Sequence, residues 1–109
     1  MNNYVTQYAT QAQRDLKEIY EYIAYTLRSP ASAERKINKI NLAIKNLNYM
    51  PERNRLYDKG FWRGKGLRYF SIERYSIFYF ISKETKIVTV IRIIYASRNI
   101  ERQLNFIDF

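Results

Sequence analysis

The stretch GLRYFSIERYSIFYFISKETKIVTVIRIIYASR, residues 66–98, decides the fold. It holds three runs rich in β-branched and aromatic residues, at 67–72, 75–81 and 87–95. The polar breaks Glu73-Arg74 and 82–86 separate them. Such side chains suit a pleated, half-buried surface, and breaks this short allow only a reversal between neighbours. The spacing therefore predicts consecutive antiparallel hairpins. In the last run, strict alternation places Val88, Val90, Arg92 and Ile94 on one face and Ile87, Thr89, Ile91, Ile93 and Tyr95 on the other. Both sets are largely apolar, so this strand is expected in the middle of a sheet. Arginines mark the ends of the unit: Arg68 near its start, Arg92 and Arg98 near its end.

Upstream of this unit the period changes. Residues 4–8 (YVTQY) read as a short first strand. Thr10 is expected to cap a helix, with Gln13 three residues on completing a capping box. Ala12, Leu16, Ile19, Ile23 and Leu27 recur at helical spacing as one apolar stripe. Asp15 falls in the first turn and Arg28 in the last, both favourable to the helix dipole. Ser29 is a cap for a second helix and Pro30 suits its first position, where a missing N–H costs nothing. Ala33, Ile37, Ile40, Ile44 and Leu47 form the second stripe, which Met50-Pro51 ends. Two stripes joined by a tight turn predict an αα-hairpin. Its outer face carries Arg35, Lys36, Lys39 and Lys45, a solvated face or, on a sharper reading, a docking surface.

Between the hairpin and the sheet lies a loop, 51–65, with turn residues Asn54, Asp58, Gly60 and Gly64. From Glu52 to Arg74 the basic residues Arg53, Arg55, Lys59, Arg63, Lys65, Arg68 and Arg74 outnumber Glu52, Asp58 and Glu73. Phe61-Trp62 sits among them. Cations interleaved with aromatics suit a nucleic acid, whose phosphates meet the charges while its bases stack on the rings. The plainer reading is that both rings pin the loop to the core. After the sheet, Asn99 can cap a short helix with Ile100, Leu104 and Ile107 on one side, covering the sheet or meeting a partner. The order is β-α-α-β-β-β-(α). It predicts one α+β domain over residues 1–109: an N-terminal strand, an αα-hairpin, and a mainly antiparallel three-strand meander completing the sheet.

Composition narrows the chemistry. A chain of 109 residues with 47% hydrophobic content supports a single core. Its 19 Lys+Arg against 10 Asp+Glu give a net charge of +9, which points to a polyanionic partner. No apolar run reaches the roughly 20 residues of a membrane span, and the polar start shows no secretory signal, so a cytoplasmic protein is expected. There is no cysteine for a disulfide or thiolate metal site, and no histidine for a Ser/His triad or an imidazole ligand. No metal or cofactor is expected, and any catalysis falls to Lys, Arg, Tyr, Asp or Glu.

The pattern as a whole resembles the RelE/ParE toxin superfamily of bacterial type II toxin–antitoxin systems. The carriers of the resemblance cover almost the whole chain. They begin with Ala12-x-x-Asp15-Leu16-x-x-Ile19-x-x-Tyr22-Ile23 and Ser29-Pro30-x-x-Ala33, then Ile40-x-x-Ala43-Ile44-x-x-Leu47-x-x-x-Pro51. Gly66-Leu67-Arg68, Tyr75-x-Ile77-x-Tyr79 and Arg92-Ile93-x-Tyr95-x-x-Arg98-Asn99 complete them. The long hairpin and the Gly-Leu-Arg entry to the sheet are closer to the ParE-like branch. That branch usually ends its last strand in His-Gly-x-Arg-Asp. Here Tyr95, Ala96, Ser97, Arg98 and Asn99 stand there, so Tyr replaces His, Asn replaces Asp, and Arg98 matches.

The resemblance implies a toxin neutralised by a cognate antitoxin in a heteromeric complex. A ParE-like toxin binds DNA gyrase and breaks no bond of its own. The alternative is a RelE-like endoribonuclease that cuts mRNA on the ribosome. Cleavage there needs a base, cations for the phosphorane charge and an acid. Arg68, Arg92 and Arg98 are the candidates to hold the phosphate, Tyr95 to act as acid or to stack, and Glu73 to act as base. Lys59, Arg63, Lys65 and Trp62 are candidate RNA- or target-binding residues. Ser76, after Tyr75, stands where RelE relatives often carry Arg, which weakens the nuclease reading. A third reading is a non-toxic basic module that binds nucleic acid.

Overall fold

The computed structural model describes residues 3–96 and 99–104. Strand β1 (Val5–Tyr8) leads into helix α1 (Thr10–Glu21), a π-helical turn (Tyr22–Thr26) and helix α2 (Pro30–Lys45). After three short 3-10 turns come β2 (Arg68–Ile72), β3 (Tyr75–Ser82), β4 (Ile87–Tyr95) and the short helix α3 (Ile100–Leu104). The sheet order is β1-β4-β3-β2. β2, β3 and β4 form the expected antiparallel meander, and β1 runs parallel to β4 from Val5 beside Ile87 to Tyr8 beside Val90. This is the α+β architecture that the sequence predicts, with β4 in the interior of the sheet.

β4 separates two cores. On one face, Val88, Val90 and Ile93 pack with Ile77, Tyr79 and Tyr4 against Ala12 of α1 and Ile40 and Ile44 of α2. On the other, Ile91 and Ile94 pack with Phe78, Leu67, Tyr57, Trp62 and Leu104. The second face is thus covered by residues 57–67 and by α3, which answers what the terminal helix packs on. Ile107, expected on the same helix face, lies outside the described residues.

The strict alternation expected along β4 does not hold. Phe78 pairs with Arg92 while the next residue, Tyr79, pairs with Val90, so Ile91 is an inserted residue. This β-bulge flips the faces beyond it. Ile93, not Ile94, therefore joins Val88 and Val90 under the helices.

Helix starts and ends also correct the sequence reading. The cap of α1 is Ala9, without a side-chain hydrogen bond, and Thr10 is already helical. The chain leaves β1 through the Ala9 N–H, which donates to the Val90 carbonyl, and the Ala9 carbonyl accepts the first helical bond from the Gln13 N–H. The Gln13 side chain donates to the Tyr8 carbonyl instead of closing a capping box. Asp15 is not a first-turn dipole residue but faces the sheet. The π-helical turn, with the Leu27 N–H donating to the Tyr22 carbonyl, breaks the 3.6-residue period. Leu27 is turned outward and 56% exposed, and it does not extend the apolar stripe. Arg28 follows in a left-handed conformation, past the helix end. Pro30 opens α2 as expected, but the Ser29 hydroxyl donates to the Ser32 hydroxyl rather than capping the backbone. In the β2–β3 turn both Glu73 (φ 51°) and Arg74 (φ 70°) are left-handed, the two-residue geometry that matches the twist of the flanking strands.

Candidate functional site

Among the described candidate cations, Arg92 is the most deeply buried. β1 ends at Tyr8, beside Val90, so the outer edge of β4 loses its strand partner there. α1 crosses this gap and supplies Asp15. Its carboxylate accepts from the Ile93 N–H at 2.8 Å, from Arg92 Nε at 2.8 Å and from Arg92 Nη2 at 3.2 Å. The side chains are only 9% and 5% exposed. Arg92 Nη1 also donates to the Gln103 carbonyl on α3 at 2.8 Å. Arg92 thus ties α1, β4 and α3 together, and its donors are spent on the fold.

Arg68 is engaged differently. Its Nη1 donates to the Glu52 and Asn54 carbonyls, at 3.1 and 2.6 Å. Next to it the Tyr79 hydroxyl donates to the Pro51 carbonyl and accepts from Asn54 Nδ2. These bonds fix the start of the loop to the sheet. Burial pushes the Tyr79 hydroxyl above its ordinary pKa, and burial does the same for Tyr8 and, with the Glu101 carboxylate nearby, for Tyr57. A phenol shifted upward is a weaker acid and is ionised even less at neutral pH.

Tyr95 is 37% exposed at the end of β4 and meets Tyr75 edge to face at 5.4 Å. Arg68 pairs with Tyr79, four residues along β3 from Tyr75, the partner of Tyr95. At about 3.3 Å per residue this is roughly 13 Å along the strand alone, with two strand spacings across. Arg68, Arg92 and Tyr95 therefore do not converge on one phosphate-sized space. Arg98 lies outside the described residues. Ser76 is buried at 3% exposure, opposite Ile94.

The loop residues divide sharply. Trp62 is 3% exposed, in the second core, tilted against Phe80 at 6.2 Å. Its neighbour Phe61 is 65% exposed. Lys59, Arg63 and Lys65 are all exposed in the same loop, with Lys59 Nζ 5.8 Å from the Tyr57 ring centre. Lys65 Nζ lies 4.9 Å from the Phe61 ring centre. The loop does pin itself to the core, through Tyr57 and Trp62, while presenting the other ring outward. The sequence offers Phe61 and Trp62 together, with Trp62 named as the contact residue; the structure buries Trp62 and exposes Phe61, and adjacency on one tight turn was the only signal for that division.

Glu73 is held away from base chemistry. Lys36 Nζ donates to its carboxylate at 3.2 Å, and Lys39 lies 4.0 Å away. The hydrogen bond from Lys36, followed by the two ammonium charges, lowers its pKa below the usual carboxylate range. With Ser32 and Arg35 these residues line a shallow groove between α2 and the β2–β3 turn. Because the folded pKa is depressed, this tie contributes stability above the unfolded-state carboxylate pKa and loses it as pH falls through the folded value. The difference in melting temperature between the wild type and Glu73→Gln should therefore be largest near neutral pH and vanish in acid. A pH series of thermal melts checks this, and a gap that persists in acid would contradict it.

The comparisons with known proteins agree with this architecture. A model of the ParE toxin of type II toxin–antitoxin systems (parDE) matches residues 7–100. No curated protein matches the chain. Among solved structures, the chromosomal ParDE toxin–antitoxin system from P. aeruginosa superposes with a TM-score of 0.72 at 18% identity, covering 89% of this chain and 100% of that one. The toxin–antitoxin complex RelBE2 from Mycobacterium tuberculosis superposes with a TM-score of 0.61 at 19% identity, covering 85% of this chain and 98% of that one. At such identities the two structures speak for the fold.

Proposed function

Because the chain belongs to the ParE toxin family of type II toxin–antitoxin systems, we propose that it arrests growth by binding DNA gyrase, with no bond-breaking step of its own. The observation that carries this reading is the dispersal of the candidate catalytic groups. Arg92 is consumed by Asp15 and Gln103, Arg68 by loop carbonyls, and Glu73 by two lysines. Acid–base cleavage needs a base and an acid within reach of one reacting group, with cations beside it. The described residues offer surfaces instead: a cationic loop and a cationic helix face on a chain of net charge +9.

A cognate antitoxin completes the proposal. Such a partner should be acidic, since complementary charge speeds encounter and selects against wrong partners. Gyrase acts in the cytoplasm, and among the described residues no helix is long and apolar enough to cross a membrane.

The test is the incorporation of labelled precursors after induction in a bacterial host lacking the antitoxin. The proposal expects DNA synthesis to fall first, and Tyr95→Phe to arrest growth as the wild type does. An early fall in protein synthesis, abolished by Tyr95→Phe, would favour ribosome-dependent RNA cleavage. Harmless induction of the folded protein would favour the non-toxic reading.

A further inference from the structure

The loop at residues 57–65 is built as a rigid mount for one exposed ring. Tyr57 and Trp62 anchor it, at 7% and 3% exposure. The Asp58 carboxylate accepts from the Gly64 N–H at 2.8 Å and draws the loop closed. The N–H groups of Trp62, Arg63 and Lys65 donate to the carbonyls of Lys59, Gly60 and Trp62, forming successive tight turns. Gly60 and Gly64 take φ of +51° and +74°, which L side chains rarely adopt. All this order holds Phe61 outward. Exposing a phenyl ring forgoes the stabilisation that its burial supplies, and Trp62, one residue away, shows that the second core accepts an aromatic from this turn.

The surroundings of Phe61 favour one occupant. Lys59, Arg63 and Lys65 are exposed; of the carboxylates, Asp58 is turned to the Gly64 amide and Glu101 of α3 lies against Gly60, so the cations outnumber them. A protein partner's apolar pocket would suit the ring but would desolvate the ammonium that lies over it. A single-stranded nucleic acid suits both: a base stacks on the ring while flanking phosphates meet the cations. Lys65 Nζ lies over the Phe61 ring, 4.9 Å from its centre, a cation–π contact that an incoming base would displace. We infer that this loop is a single-strand nucleic-acid contact, with Phe61 as the base-stacking platform and Lys59, Arg63 and Lys65 as phosphate contacts. The inference rests on the loop alone and holds whichever target the toxin arrests.

Fluorescence anisotropy of a short labelled single-stranded DNA of mixed sequence tests it, read at several salt concentrations. The wild type should bind with a steep salt dependence. Phe61→Ala should weaken binding about five- to a hundredfold, the range for losing one base–aromatic stack, without changing the salt slope. Phe61→Trp should restore it. Lys65→Ala should lower the salt slope by about one phosphate's worth. Binding should also quench the fluorescence of Trp62, the sole tryptophan, whose ring centre lies 5.1 Å from that of Phe61. No measurable binding by the wild type, or Phe61→Ala binding as tightly as the wild type, would overturn the inference. So would a Phe61→Ala variant that loses gyrase inhibition while binding DNA normally, since the ring would then be a protein contact.

Discussion

Asp15→Ala is expected to cost about 3–5 kcal/mol of folding stability, because it leaves the Arg92 guanidinium buried without its counter-charge. Against a total of roughly 5–15 kcal/mol for a domain, that approaches unfolding. Asp15 also receives the Ile93 N–H where β1 has ended, so the variant strands a second buried donor. Replacing both partners by apolar residues of similar volume, Asp15→Leu with Arg92→Met, should recover much of the loss. Urea denaturation of the three variants measures this. A cost under about 1 kcal/mol for Asp15→Ala would mean that the pair behaves as a surface ion pair. Loss of activity in Arg92→Ala would report a damaged fold, so that variant cannot identify a catalytic arginine.

Phe78→Ala is expected to cost about 3–5 kcal/mol as well, the transfer free energy of the ring plus the cavity it leaves. Phe78 is fully buried, stacked on Tyr69 at 5.5 Å and edge to face with Tyr57 at 5.4 Å. It joins the sheet to the cover formed by residues 57–67. Partial collapse around the cavity should loosen that cover before the rest of the fold. The emission of Trp62 should therefore shift to the red in folded Phe78→Ala, at denaturant concentrations where circular dichroism is still native. Coincident transitions by the two probes would show instead that both cores unfold as one unit.

The central place of β4 was legible because both its faces are apolar, a pattern that only a doubly covered strand requires. The bulge within it was not. Ile91, Ile93 and Ile94 are interchangeable in an alternation, so either register buries the same chemistry. Asp15 shows a different limit. Its helical position fits a dipole role, while the partner that decides its role lies 77 residues away in sequence. Within the candidate site, the sequence located the cationic loop and offered both its rings, and the one named as a contact, Trp62, is the buried one. Phe61 and Trp62 are adjacent on one 3-10 turn, and which ring enters the core depends on the space left between Phe80 and α3. The helix cap moved from Thr10 to Ala9 because the strand's last hydrogen bond and the helix's first share one residue.

We propose that this toxin acts by binding and not by cutting. The most direct measurement is supercoiling by purified DNA gyrase with the toxin in excess, using the wild type and Tyr95→Phe side by side. Both should inhibit supercoiling, and neither should cleave mRNA in a translating extract. Undiminished supercoiling, together with message cleavage by the wild type that Tyr95→Phe lacks, would contradict it.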